Sequence, residues 1–183
     1  KGWLEPCNAH TATAMASAPP LHPEQAAAVA ALGADLGTFR ATLLQGITGS
    51  GKTEVYLRVM EAVLEAGRQV LMLVPEIGLT PQTAQRLAAR LGAPVHTLHS
   101  GMAPGIRNQR WEASRSGAPM VLLGTRSSLF APLPALGLII VDEEHDDSYK
   151  QQDGVRYSAR DVAVKRGALQ GCPVVLGSAT PPL

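Results

Sequence analysis

The sequence predicts an α/β domain, a mostly parallel sheet with helices on both faces. Short apolar runs alternate with stretches of helical spacing along most of the 183 residues. The runs are continuous rather than alternating in polarity, as expected of strands covered on both sides. The first run leads into a glycine-rich segment that opens a helix, at the kind of strand end where open α/β sheets bind ligands.

Taken in order, residues 1–20 are rich in Ala, Ser, Thr and Pro and close on Pro19-Pro20, a linker composition, so the ordered domain is expected over 21–183. A helix is predicted over 23–32, with Pro23 in its first turn and Gly33 as its stop. A strand follows at 40–44. Beyond the glycine-rich segment, Val55, Val59, Ala62, Val63 and Ala66 predict a helix over 54–66. Residues 70–74 read as a buried strand, and Thr80-Pro81 as the cap and first turn of a helix ending near Gly92. Further strands are predicted at 95–98, 121–123, 138–141 and 174–176, and helices at 106–114 and 158–169. Ser158 and Asp161 have the spacing of a capping box.

Composition narrows the functional classes. With 45% hydrophobic and 17% charged residues the chain is neither a disordered tail nor, lacking a run of about 18 apolar residues, a membrane span. The net charge of +1 advertises no nucleic-acid partner, so DNA binding requires a local patch. Two cysteines, Cys7 and Cys172, do not make a zinc site, and a reducing cytoplasm is the easier reading. His10, His22, His96 and His99 have no metal-ligand spacing. The chain begins at Lys1 without a signal-peptide core, and is read as a segment of something longer.

Two stretches carry chemistry. Gly46-Ile47-Thr48-Gly49-Ser50-Gly51-Lys52-Thr53 fits G-x-x-x-x-G-K-[ST] at every fixed position. Its glycines allow backbone N–H groups close to a phosphate, the following helix turns its positive end toward the anion, Lys52 supplies a point charge and the Thr53 hydroxyl is a Mg²⁺ ligand. The bland alternative is a glycine-rich turn with an exposed lysine. The second stretch, Asp142-Glu143-Glu144-His145, ends an apolar strand. So much negative charge calls for a cation: Asp142 is assigned to Mg²⁺, Glu143 to the attacking water, and His145 to a relay toward Ser178 and Thr180. A solvated acidic turn is the competing reading.

The phosphate loop, residues 142–145 and Ser178-Ala179-Thr180 resemble motifs I, II and III of DExH helicases of superfamily 2. The longer strings at 73–82, 124–130 and 142–161 are similar to the PriA family of primosomal replication-restart helicases, a likeness spanning about 21–182. The resemblance implies a RecA-like P-loop NTPase lobe. It further implies ATP and Mg²⁺ as ligands, and 3'–5' movement on single-stranded and forked DNA. Gln25 falls where the family reads adenine, against the plain reading of an exposed helix glutamine. Glu144 and His145 join the nucleotide site. Pro75, Glu76 and Thr80, with Gly124, Thr125 and Arg126, match DNA-backbone motifs; a surface salt bridge is the other reading of Arg126. Residues 148–160 resemble a loop coupling DNA to hydrolysis, with Lys150, Arg156 and Arg160 for charge and Tyr149 and Tyr157 as stacking faces or, equally, core. The family usually carries tryptophan where this chain has Val155.

The same resemblance places outside this segment a second RecA-like lobe with an arginine finger, zinc-binding cysteines and an upstream DNA-binding region joined by the 1–20 linker. It also implies primosome and single-strand-binding proteins as partners. The segment alone is expected to turn over ATP very slowly. Arg107, Arg110 and Arg115 can be read as a basic helical face for DNA, with a solvated face as the better reading. A noncatalytic, nucleotide-dependent fork-binding scaffold is the rival function; a small P-loop kinase lacks an acceptor pocket in the sequence.

Overall fold

A computed structural model of the chain describes residues 19–47, 49–152 and 154–179. Residues 1–18 of the expected 1–20 linker, with Cys7 and His10 among them, and Thr48 and Thr180 lie outside them. In chain order the elements are α1 (Pro23–Ala34), β1 (Ala41–Gln45), α2 (Lys52–Glu65), β2 (Gln69–Leu73), α3 (Pro81–Leu91), β3 (Val95–Leu98), α4 (Pro104–Arg115), β4 (Val121–Gly124), β5 (Leu136–Val141), β6 (Lys150–Gln151), β7 (Tyr157–Ser158), α5 (Ala159–Gln170) and β8 (Val174–Ser178). Six strands form one parallel sheet in the order β1-β8-β5-β2-β4-β3, and β6 and β7 make a small antiparallel hairpin.

The period of two along each strand divides the core between the faces. Val70, Met72, Leu138 and Ile140 pack under α1, α2 and α3 with Val55, Met60 and Leu87. Leu71, Leu73, Ile139 and Val141 face the other way, with Ala159 and Ala163 of α5 and Trp111 of α4. Both faces of β2, β4 and β5 are therefore buried throughout. Strand β1 departs from that expectation. It is the sheet edge and alternates between exposed and half-buried residues, with Leu43 42% exposed.

Several boundaries differ from the sequence expectation for identifiable reasons. Helix α1 runs through Gly33 to Ala34, because a glycine in helical conformation weakens a helix without ending it. The left-handed residue is Gly37, at φ +86°, in the turn that follows. Helix α2 starts at Lys52, not at 54, since left-handed Gly51 already directs the chain into it. Strands β4 and β8 extend over Gly124 and Gly177-Ser178, where backbone pairing proceeds without an apolar side chain, and β5 begins at buried Leu136, with Gly137 at a shift of register against β2. The expected cap of α3 is present: Thr80 Oγ1 accepts the Thr83 N–H at 3.2 Å. Only one arm of the Ser158 box forms, for Ser158 Oγ accepts the Asp161 N–H while the Asp161 carboxylate turns to Arg160. Among the described residues no helix is long and apolar enough to cross a membrane.

Candidate active site

The glycine-rich loop leaves the sheet where β1 and β8 end together, with the Gly46 N–H donating to Ser178 O at 3.1 Å. Gly49 and Gly51 sit at φ +84° and +83°, and the Ser50 N–H closes a turn on Ile47 O. A Cβ on Gly51 would lie 2.2 Å from Gln25 Nε2, so this position accepts only glycine while Gln25 is in place. Gln25 is not idle on its helix: Nε2 donates to Ser50 O at 3.1 Å and Oε1 accepts the His22 N–H at 2.9 Å. It fastens α1 to the phosphate loop.

Residues 49–53 and Asp142 with Glu143 line one cleft of about 270 Å³. Two distant parts of the chain thus share a site because β1 and β5, both flanking β8, end on the same rim. Lys52, only 10% exposed, donates to Gly46 O at 2.7 Å and lies 3.4 Å from Glu143 Oε1. Glu143 reaches the lysine from a left-handed backbone at φ +48°, a conformation costing a non-glycine residue about 1–3 kcal/mol. The turn is held from both sides: the Asp146 N–H donates to Glu143 O and the Glu144 N–H to Gly177 O, each at 2.8 Å. His145 carries the expected relay on one side, its Nδ1 3.3 Å from Ser178 Oγ and its Nε2 3.8 Å from Glu143 Oε2.

Asp142 is gripped by two phenols that sequence reasoning did not assign to it. Tyr56 OH donates to Asp142 Oδ1 at 3.0 Å, and Tyr149 OH donates to the Asp142 carbonyl at 2.7 Å. Both rings are 1% exposed. Burial lifts the Asp142 carboxyl above its usual range, opposed by the Tyr56 hydrogen bond and reinforced by the Glu143 charge. Gly177 makes room for this contact, since a Cβ there would meet Tyr56 OH at 1.8 Å. One signal for Tyr56 was present: it lies one helical turn beyond Thr53 and so shares its face.

Thr53 and Asp142 border the same cleft, and the Thr53 hydroxyl has no hydrogen-bond partner among the described residues. One hydroxyl and one carboxylate are hard oxygen donors suited to Mg²⁺. No group of three His, Cys, Asp or Glu side chains that could hold a metal occurs among the described residues. The donor set therefore fits a cation completed by phosphate oxygens and water.

Other expectations need correcting. Glu144 does not line the cleft; its side chain is 4% exposed and pairs with Arg160 at 3.3 Å, drawn inward by the Gly177 backbone contact. Tyr149 offers no stacking face, being buried against motif II. Among the described residues Arg126 makes no salt bridge: its Nη1 donates to Ser148 O at 3.0 Å and Lys150 O at 3.1 Å, fastening the foot of the 148–160 loop. Thr125 is buried, and a Cβ on Gly124 would meet Ser128 Oγ at 1.9 Å, so this turn is tightly packed. Pro75 is buried and precedes a 3-10 turn, Glu76–Gly78, that exposes Glu76 and Ile77 and leads to the Thr80 cap. Within the loop Tyr157 stands edge-on to Phe130 at 5.4 Å, Lys150 pairs with Asp147, and Arg156 and Val155 are exposed. On α4, Arg110 binds His96 and Arg115 lies 3.5 Å from Glu112.

The replication restart protein PriA of Haemophilus influenzae is 52% identical over 145 residues, 79% of this chain and 20% of that protein. PriA of Bacillus subtilis is 46% identical over 166 residues, 90% of this chain and 21% of that protein. The chain thus spans about a fifth of the length of these relatives. In fold it is similar to RecG bound to a three-way DNA junction, with a TM-score of 0.64 and 24% identity over 88% of this chain and 21% of that one. It is likewise similar to the Hef helicase domain of Pyrococcus furiosus, with a TM-score of 0.61 and 23% identity over 87% of this chain and 33% of that one. The sheet is that of a RecA-like helicase lobe. The DEAD/DEAH box helicase profile matches residues 22–183, which include both walls of the cleft, and the chain belongs to that family.

Proposed function

We propose that this chain is the ATP-binding motor lobe of a 3'–5' DNA helicase acting in replication fork restart, coupling Mg-ATP hydrolysis to movement along single-stranded DNA. The observation that carries it is the ion pair of Lys52 with Glu143 across the cleft. Without nucleotide, the lysine is neutralised by Glu143 and by Gly46 O. An arriving triphosphate competes for Lys52 Nζ, and transfer of the lysine from Glu143 to the bound phosphates frees the Glu143 carboxylate to take a proton from the attacking water. Residues 49–53 supply N–H donors, Thr53 and Asp142 hold the cation, and Gln25 is placed to exchange its Ser50 contact for adenine. Bound Mg²⁺ supplies charge neutralisation at the β and γ phosphates.

Coupling to DNA runs through the foot of the loop. Arg126 grips Ser148 and Lys150, and the intervening Tyr149 is bonded to Asp142, so displacement at the 124–126 turn reaches the metal ligand directly. The 75–80 turn, Arg156 and Tyr157 contact the strand. A second RecA-like lobe with an arginine finger, a zinc site, a DNA-binding region ahead of the 1–20 linker, and primosome and single-strand-binding partners in the bacterial cytoplasm belong to the longer protein in this reading. Presence of both Lys52 and Glu143 favours the motor over a noncatalytic scaffold. Phosphate release by the full-length protein with oligothymidylate is the test. Stimulation by DNA that disappears in Glu143→Gln, while nucleotide binding persists, supports the motor; fork binding without turnover in the wild type refutes it.

A further inference from the structure

Behind the phosphate loop, between α2 and α3, four charged side chains close on one another. Glu54 Oε1 accepts from Arg58 Nε at 3.0 Å and from Arg90 Nη2 at 3.3 Å. The other Nη of Arg90 donates to Glu61 Oε1, and Arg58 Nη2 donates to Pro19 O at 3.0 Å. Glu54, Arg58 and Glu61 stand on α2, whereas Arg90 reaches over from the last turn of α3. The Arg90 and Glu54 side chains are only 11% and 15% exposed.

A cluster of two carboxylates and two guanidiniums adds little net stability, because withdrawing the charges from water offsets most of their attraction. Arg90 even leaves its buried Nε without a partner among the described residues. What sets the cluster apart is the place of Glu54. It lies in the first turn of α2, directly after Lys52 and Thr53, which line the phosphate cleft. The N-terminal end of a helix attracts anions, so an unpaired carboxylate there competes with a phosphate for the same positive end. The cleft already sets Lys52 against two carboxylates, Asp142 and Glu143. A further negative charge, shielded from solvent and left unpaired, would repel a polyphosphate through a low dielectric.

We infer that Arg90 and Arg58 are positioning residues that tune the nucleotide site without touching it: by neutralising Glu54 they keep the phosphate-binding end of α2 positive. The inference rests on the ATP-binding reading of that cleft. Arg90 is the stronger contributor, since it is the more buried cation and serves both glutamates, whereas Arg58 is 28% exposed and shares its guanidinium with Pro19 O. Glu54 in turn fastens α3 to α2 through Arg90, so the carboxylate joins the two helices while the guanidiniums cancel its repulsion of the ligand.

The test uses the full-length protein without DNA, titrated with the fluorescent nucleotides mant-ADP and mant-ATPγS over a range of salt. Arg90→Met is expected to weaken mant-ADP binding roughly five- to tenfold and mant-ATPγS, the more highly charged ligand, by a larger factor, both losses shrinking as salt rises. Adding Glu54→Gln to Arg90→Met is expected to restore both affinities to within about twofold of the wild type. Arg58→Gln, at the more exposed cation, is expected to show the same ordering with a smaller loss, and carries the test if Arg90→Met does not fold. Equal losses for the two nucleotides, unrelieved by Glu54→Gln, would assign the arginines to packing and overturn the inference. Wild-type affinities in both Arg90→Met and Arg58→Gln overturn it too. A wild type that binds neither nucleotide overturns the ATP-binding reading with it.

Discussion

The two ends of the sheet rim differ in how their polar side chains are spent. At the β1-β8-β5 end almost every such group is committed to another: Lys52 to Gly46 and Glu143, Tyr56 and Tyr149 to Asp142, His145 to Ser178, Glu144 to Arg160. At the β3 end the polar side chains lining a second cleft have no polar partner among the described residues. The committed end is a switch, because a ligand gains Lys52 only by displacing an existing contact, and that displacement changes what Glu143 can do. The uncommitted end has no internal contact to break. A chemical step needs the first kind of site.

Substitutions at the committed end should therefore be the more damaging. Lys52→Ala is expected to lower DNA-stimulated phosphate release by the full-length protein at least about a hundredfold, measured at saturating DNA. Retention of most activity would mean that the lysine does not reach the phosphates. Tyr56→Phe removes a donor to a buried carboxylate, and should raise the Mg²⁺ concentration needed for half-maximal activity roughly tenfold. Manganese binding in the presence of ADP, followed by electron paramagnetic resonance, should weaken in parallel. Tyr149→Phe leaves the Asp142 carbonyl without its phenol, at a cost of about 1 kcal/mol, seen as a melting temperature roughly 2–4 °C lower for this 183-residue chain. Its DNA stimulation should fall more than its basal rate; equal falls would deny the loop foot a coupling role.

The smallest effect expected is a pH dependence at His96, which lines neither cleft. Burial first, and the Arg110 charge second, lower the pKa of His96, and the imidazole is half-buried beside that guanidinium. Because the folded pKa is depressed, the unfolded chain takes up the proton first. His96 thus stabilises the fold above about pH 6.5, and this contribution fades as pH falls through the folded value. The urea midpoint should decrease between pH 7 and 5, and decrease less in His96→Asn. An equal decrease in both would assign the effect elsewhere.

Much of the committed end was legible in the sequence because it is local. The loop's glycine spacing and the apolar run ending in Asp142-Glu143 each lie within a few residues, and strand alternation carries both to one rim. What escaped was set across distance. Tyr56 and Asp142 are 86 positions apart, and a tyrosine suits a core or a stacking platform equally well, so nothing local revealed that Tyr149 faces inward. Glu144 and Arg160 pair for the same reason. That β1 is an edge is a property of strand order, which composition does not encode. Arg107, Arg110 and Arg115 read as one basic face because they look alike on α4 until Arg110 and Arg115 find partners.

Hydrogen exchange on the full-length protein, with and without Mg²⁺ and a nonhydrolysable ATP analogue, tests the shared cleft most directly. Nucleotide should slow exchange together at residues 46–53 and 142–145, the second segment only when Mg²⁺ is present. Slowing confined to 46–53, whatever the Mg²⁺ concentration, would contradict a cation held between Thr53 and Asp142.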